Sequence, residues 1–161
     1  MDERAVEAHT DHRCVLGLLT HRLAEASDDD RSELAARALE RMLDGGQFDD
    51  CCVPAYLALA PRENAREVQI PIAREGDIET RVIVWPVGAR DFDHPHTNGW
   101  TTFVPVRGTL ATVAKAAGEP RTASELAVRQ PVVLRPEDGV RHLVRNIGPE
   151  PGLSVHISGS V

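Results

Sequence analysis

The sequence predicts a mainly β protein, an antiparallel barrel or sandwich with a layer of N-terminal helices packed on it. Two observations predict this fold. Apolar residues recur with an approximately helical period in the first 60 residues, and after Pro61 short β-prone runs alternate with Gly, Pro and Asp. A chain of 161 residues has room for one domain with a substantial core. We therefore expect a single domain over 1–161, helical over 1–60 and β-barrel over 61–161.

Three helices are expected in the N-terminal part. The first covers about Val15–Ala24, and the second runs from a cap at 27–30 to about Arg41, before the pair Gly45-Gly46. A third, short helix is expected near Val53–Ala60, where Pro61 ends it.

Strands are expected wherever a short run rich in Val, Ile, Leu or Thr lies between turn residues. The even spacing of these runs is typical of antiparallel barrels and sandwiches. The seven runs are Val68–Ile72, Thr80–Val87, Trp100–Val106, Leu110–Ala114, Pro131–Leu134, Val140–Asn146 and Leu153–Ser158.

Charge and composition exclude several classes of function. The net charge of −7 argues against nucleic acid as a partner, because no basic face would neutralise the phosphates. No apolar run approaches the roughly 18–20 residues needed to cross a bilayer, and the acidic N-terminus is unlike a secretory signal. Cys14 and the adjacent Cys51 and Cys52 indicate neither a disulfide framework nor a structural zinc site. We expect a cytoplasmic protein without a membrane or nucleic-acid partner.

The most informative stretch is 88–108, which contains His94-Pro-His96. Two histidines two residues apart on an extended segment point the same way, because side chains alternate along a strand. Both imidazoles can then bind one metal. The alternative is a pair of half-exposed histidines at the edge of a barrel.

A second stretch, Pro136-Glu-Asp-Gly139-Val-Arg-His142-Leu-Val-Arg-Asn146, uses a turn to bring a third histidine to the start of a strand. Together the two stretches resemble the paired signatures of the cupin superfamily: Gly, five residues, His-x-His and a later Gly, then Pro-x-x-Gly, two residues, His, three residues, Asn. The resemblance covers roughly Trp85 to His156. It implies a cupin jelly-roll barrel that holds a metal ion on His94, His96 and His142.

Many cupins supply a glutamate a few residues after His-x-His, whereas 97–106 contains no carboxylate here. Neutral imidazoles suit iron, zinc, copper or nickel, so the type of ligand does not select the metal. Three neutral ligands leave the divalent charge uncompensated. This favours an anionic ligand such as a thiolate, beside open positions for dioxygen.

Within the cupins the chain resembles the cysteine dioxygenase family of thiol dioxygenases. The match includes His96-Thr-Asn-Gly-Trp-Thr and the segment from Asn146 to His156. The resemblance implies Fe(II) as cofactor and oxidation of a thiol to a sulfinate by O2. It also implies that Ser154 and His156 lie beside the iron as catalytic residues and that Trp85 is part of the pocket wall. The alternatives are a satisfied core histidine and a core tryptophan.

Departures from that family concern the substrate pocket. Ser158 stands in place of the family's tyrosine, Thr101 in place of the cysteine that crosslinks to it in the animal enzymes, and Val68 in place of the arginine that binds the substrate carboxylate. Arg66 or Arg81 is a candidate to replace that arginine, although Arg81 could instead be a solvated residue of the rim. The substrate is therefore expected to be a small thiol other than plain cysteine. The candidate substrate-binding residues are Arg66, Arg81, Trp85, Trp100, Thr101 and Ser158.

Two other functions remain compatible with these motifs. One is an oxygenase with the same ferrous site that acts on a non-thiol metabolite in a biosynthetic pathway, which the replacements at Val68, Thr101 and Ser158 would suit. The other is a non-catalytic cupin that binds a metal, a small ligand or a partner. The intact set of three histidines favours an enzyme, as a monomer or a homodimer.

Overall fold

The computed structural model describes residues 15–27, 31–46, 56–59 and 66–160. Residues 28–30 of the predicted cap at 27–30, and residues 53–55 and 60 of the third predicted helix, lie outside these ranges, and 56–59 form a single turn. Within them the chain forms helices α1 (Val15–Glu25) and α2 (Arg31–Asp44). The strands are β1 (Val68–Glu75), β2 (Ile78–Trp85), β3 (His94–Pro95), β4 (Gly99–Arg107), β5 (Leu110–Lys115), β6 (Thr122–Glu125), β7 (Val132–Leu134), β8 (Arg141–Asn146) and β9 (Gly152–Ser160).

The strands form two antiparallel sheets. The larger sheet has the order β1-β2-β9-β4-β7, and the smaller one has the order β3-β8-β5-β6. The prediction of a mainly β fold with helices packed on it is confirmed, and each of the seven predicted strands is present. The short strands β3 and β6 were not predicted.

The two helices cover the outer face of the larger sheet. Leu16, Leu23, Leu39 and Leu43 are buried in one cluster with apolar side chains of the strands beneath them, among them Val82 and Val155. Buried hydroxyls connect the layers, since Thr20 Oγ1 and Thr80 Oγ1 are 2.8 Å apart and Thr102 Oγ1 donates to the Ser32 carbonyl at 2.9 Å. Neither described helix is long and apolar enough to cross a membrane.

The inner face of the larger sheet faces the smaller sheet. At one end Ile83, Trp85 and Phe103 pack against Leu110, Leu126 and Val144 in a second apolar cluster. Because the central strands are covered on both faces, most residues of β2, β4 and β9 are buried and alternation of apolar and polar residues is largely lost. The polar residues that do occur on the inner face therefore mark the candidate site.

Candidate metal centre

Three histidines come together between the sheets. His94 in β3 lies directly opposite His142 in β8, and His96 follows β3 by one residue. The ring centroids form a nearly equilateral triangle with sides of 5.0, 4.7 and 5.0 Å. His96 Nε2 and His142 Nε2 are 2.9 Å apart. The spacing of two within the His-x-His segment thus points both imidazoles toward the ring that β8 contributes.

The protonation of these rings suits metal binding. Burial, together with the neighbouring histidines, lowers the pKa of His142 to about 3 and that of His96 to about 4. Both rings are therefore neutral at neutral pH, and each has a lone pair to offer. His94 Nδ1 lies 2.6 Å from the Phe92 carbonyl oxygen and donates to it, which leaves the lone pair on Nε2.

The geometry fits a metal ion. Two nitrogens that bind one ion at about 2.1 Å and at right angles lie about 3.0 Å apart, close to the separation of His96 and His142. Across the part of the chain that the structure describes, one group of metal-ligating side chains has ligand atoms all within 4.8 Å of one another, and it consists of His94, His96 and His142. No carboxylate belongs to it. Iron, zinc, copper and nickel all accept such a ligand set.

A cavity of about 240 Å³ lies beside the three histidines. Residues of β2, β9 and β4 line it in register, because Arg81 pairs with His156, and His156 pairs with Phe103. Two residues further along these strands, Ser158 pairs with Thr101, and their hydroxyl oxygens are 3.1 Å apart. Besides the three histidines the lining consists of Gln69, Arg81, Ile83, Asp91, Thr101, Phe103, His156 and Ser158.

His156 is held on two sides. Its ring stacks on Phe103 with centroids 5.0 Å apart, and its Nε2 is 2.8 Å from Ser154 Oγ. Ser154 Oγ accepts a hydrogen bond from Trp85 Nε1 at 2.8 Å, so its own proton is free to go to His156. Burial, together with the nearby His142 and Arg81, lowers the pKa of His156 to about 3. His156 is therefore a neutral ring in the cavity. Ser154 does not line the cavity, but its hydrogen bond fixes the orientation of the His156 ring.

Arg81 points into the cavity from the centre of β2. Its Nη1 donates to Gln69 Oε1 at 2.9 Å, and its Nη2 donates to Glu79 Oε2 at 2.8 Å. Its side chain is 34% exposed. The guanidinium is thus braced by an amide and a carboxylate while it lines the same space as the three histidines.

Three of the predicted substrate-binding residues do not line this cavity. Trp85 is fully buried in the second apolar cluster, where its Nε1 donates to Ser154 Oγ, so it lies behind the residues that line the cavity. Trp100 lies on the opposite face of β4 from Thr101, where it packs in the helix-covered core and lines only an adjoining groove. Arg66 is exposed, and its guanidinium lies 5.1 Å from the centroid of the Phe92 ring.

Four cavity residues were missed in the sequence. Ile83 and Phe103 share the strand parity of Arg81 and Thr101, so the alternation of side chains would have found them. Gln69 comes from the edge strand β1. Asp91 lies three residues before His94, and burial raises the pKa of its carboxyl to about 6 although the Val144 N–H donates to it.

Comparisons with known proteins support the fold. No known family and no curated protein matches the chain in sequence. A double-stranded β-helix protein from Klebsiella pneumoniae is 19% identical, with a TM-score of 0.53 over 64% of this chain and 84% of that one. The cupin domain of Schizosaccharomyces pombe Cnp3 is 15% identical, with a TM-score of 0.52 over 65% and 72% of the two chains. An oxalate oxidase is 12% identical, with a TM-score of 0.53 over 63% and 55%. The chain therefore has the cupin fold.

Proposed function

We propose that this protein is a mononuclear non-haem iron(II) dioxygenase that resembles cysteine dioxygenase and oxidises a small thiol, other than plain cysteine, to a sulfinate. One observation carries the proposal. Three imidazoles converge in a ligand group that contains no carboxylate, and the cavity beside them also contains His156 and an arginine. In the overall reaction a thiol and O2 give a sulfinate and a proton. Both oxygen atoms enter the product, and the sulfur supplies the electrons that reduce them.

His94, His96 and His142 would hold the iron, and the bound iron would supply the activation of dioxygen. Because all three ligands are neutral, the positive charge of the ion is uncompensated within its ligand set. This charge favours the thiolate form of the substrate. His156, as a neutral ring fixed by Ser154 and Phe103, offers one hydrogen-bonding nitrogen to whatever occupies the cavity.

The cavity residues support a small substrate that carries one anionic group besides the thiol. A space of about 240 Å³ accepts a small metabolite only. Arg81 presents a planar set of donors that suits a carboxylate, and Thr101 and Ser158 add hydroxyls where the cysteine dioxygenase family has a cysteine and a tyrosine. The substrate and O2 are the proposed partners, with the protein as a monomer or a homodimer.

Oxygen uptake tests this function. Protein reconstituted with Fe(II) without air is expected to consume O2 when a thiol such as 3-mercaptopropionate is added, and to form the sulfinate in equal amount. Cysteine is expected to be a poorer substrate, because it carries an ammonium group that 3-mercaptopropionate lacks, in a cavity that already contains the positive charge of Arg81. Uptake is followed with an oxygen electrode and the product by mass spectrometry.

A carboxylate panel without thiols is the control in the same assay. Uptake with a non-thiol carboxylate and none with thiols would contradict the thiol proposal in favour of another oxygenase. An iron-loaded protein that consumes no O2 with any panel member would contradict enzymatic function.

Arg81→Met is expected to raise KM for thiols that carry a carboxylate by about 10- to 100-fold, because a hydrogen bond to a charged group contributes roughly 1.5–3 kcal/mol. Turnover of cysteamine, which has no carboxylate, is expected to change little. Glu79→Gln is the matched control, since it removes the negative charge beside Arg81 and keeps both an acceptor oxygen and the guanidinium. Equal losses with both substrate types would argue that Arg81 has only a structural role.

A further inference from the structure

We propose that Asp91 is a positioning residue, whose carboxylate holds the His94 segment on β8 and so sets the place of His94 relative to His142. The inference rests on the proposed metal site but not on the thiol chemistry. Asp91 lines the cavity, its side chain is 15% exposed, and the function proposed above gives it no task.

Asp91 pairs with Val144 through two hydrogen bonds of different kinds. Its backbone N–H donates to the Val144 carbonyl at 3.1 Å, and its Oδ1 accepts from the Val144 N–H at 2.6 Å. In a regular antiparallel pair a backbone carbonyl would accept that second bond. Here the side chain replaces the carbonyl. Val144 is two residues from His142 on the same strand, so Asp91 is bonded to β8 close to the metal-ligating His142.

The side-chain oxygen takes the place of a backbone carbonyl because the chain forms a bulge before β3. Arg90 bridges Arg145, and His94 pairs with His142, so residues 91–93 face only residues 143–144. The extra residue interrupts the ladder of backbone hydrogen bonds, as β-bulges do, and re-aims the side chains that follow it. At the start of the bulge the Asp91 carboxylate accepts the hydrogen bond from the Val144 N–H that the interrupted ladder would otherwise leave without an acceptor.

The bulge in turn orients the His94 ring. It turns the Phe92 carbonyl toward His94 Nδ1, at 2.6 Å, and this bond fixes Nε2 as the metal-binding nitrogen. Asp91 Oδ2 is 3.8 Å from the same Nδ1, which is too far for a hydrogen bond. Asp91 therefore acts through the backbone that it anchors and not by direct contact with the imidazole.

The neighbouring Asp93 provides a natural comparison. It lies in the same bulge, but its carboxylate pairs outward with Arg121 Nη2 at 2.7 Å. Removal of Asp93 changes the local charge as much as removal of Asp91 does, yet leaves the bond to Val144 in place. The two carboxylates thus separate the effect of charge from that of the hydrogen bond.

Co(II) titration of the whole chain tests the inference, with the visible spectrum as a second readout of ligand geometry. Asp91→Ala is expected to weaken Co(II) binding by roughly 10- to 100-fold, the usual cost of losing a group that supports a metal ligand, and to alter the spectrum. Asp91→Asn keeps the acceptor without the charge and is expected to retain both affinity and spectrum. Asp91→Glu keeps the charge but displaces the acceptor, so it is expected to resemble Asp91→Ala. Asp93→Ala is expected to resemble the unaltered protein.

Unchanged affinity and spectrum in Asp91→Glu would overturn the inference, as would an Asp91→Asn variant as weak as Asp91→Glu. This comparison stands even where Asp91→Ala fails to fold. Thiol-dependent oxygen uptake is measured separately. If the cobalt results are as expected but no thiol-dependent oxygen uptake occurs, the proposed chemistry is contradicted and the role of Asp91 is not.

Discussion

Replacing His142 with alanine is expected to abolish stoichiometric iron binding. His142 supplies one of three ligand nitrogens, and its Nε2 is the atom that lies 2.9 Å from His96 Nε2. Loss of a mere supporting residue around a metal costs roughly 10- to 100-fold in affinity, so loss of a ligand from a set of three is expected to cost more. The ligand group contains no carboxylate that could replace the lost nitrogen.

The measurement is iron per chain after anaerobic reconstitution and removal of free metal. His156→Ala is the matched control, because it removes the same side chain from the same cavity but from outside the ligand group. It is expected to keep the iron and to lose thiol-dependent oxygen uptake. Thermal melting of both variants checks that each is folded. A folded His142→Ala protein that keeps one tightly bound iron would refute the proposed ligand set.

The features that the sequence predicted well depend on local patterns. The strand runs between turn residues are all present, and the His-x-His spacing does place two imidazoles toward a common centre. The turn at Pro136–Asp138 followed by Gly139, with φ of +60°, brings His142 to the start of β8 as expected. Each of these follows from neighbours along the chain, so the residues themselves were sufficient evidence.

What the sequence could not predict depends on contacts between distant elements. The strand β6 is exposed throughout and has no apolar pattern, and β3 is only two residues long. The helices bury the outer face of the larger sheet, so Trp85 and Trp100 are both buried although they lie on opposite faces. A tryptophan within a strand therefore gave no information on which face of the sheet it occupies, and neither of the two lines the cavity beside the histidines. Similarly, Asp91 has a role only because Val144 lies opposite it.

The last residue of the second cupin-like signature is expected to be structural. Asn146→Ala is predicted to destabilise the protein by about 3–5 kcal/mol, because each buried polar group that loses its partner costs roughly 1–3 kcal/mol. Asn146 is 4% exposed, and its Nδ2 donates to the carbonyls of Trp85 at 2.9 Å and of Glu150 at 2.8 Å. Its Oδ1 accepts from the Gly148 N–H at 2.8 Å. One amide therefore connects the end of β2 to the β8–β9 turn.

Urea unfolding measures this effect, and Asn98→Ala is the matched control because Asn98 is exposed. The control is expected to change the free energy of unfolding by less than about 0.5 kcal/mol. Asn146→Asp tests the donor side of the amide separately, since it keeps the acceptor for Gly148 but places a carboxylate oxygen against two carbonyls. It is expected to be no more stable than Asn146→Ala. If Asn146→Ala unfolds at the urea concentration of the unaltered protein but loses metal, the asparagine serves the metal site directly and not the fold.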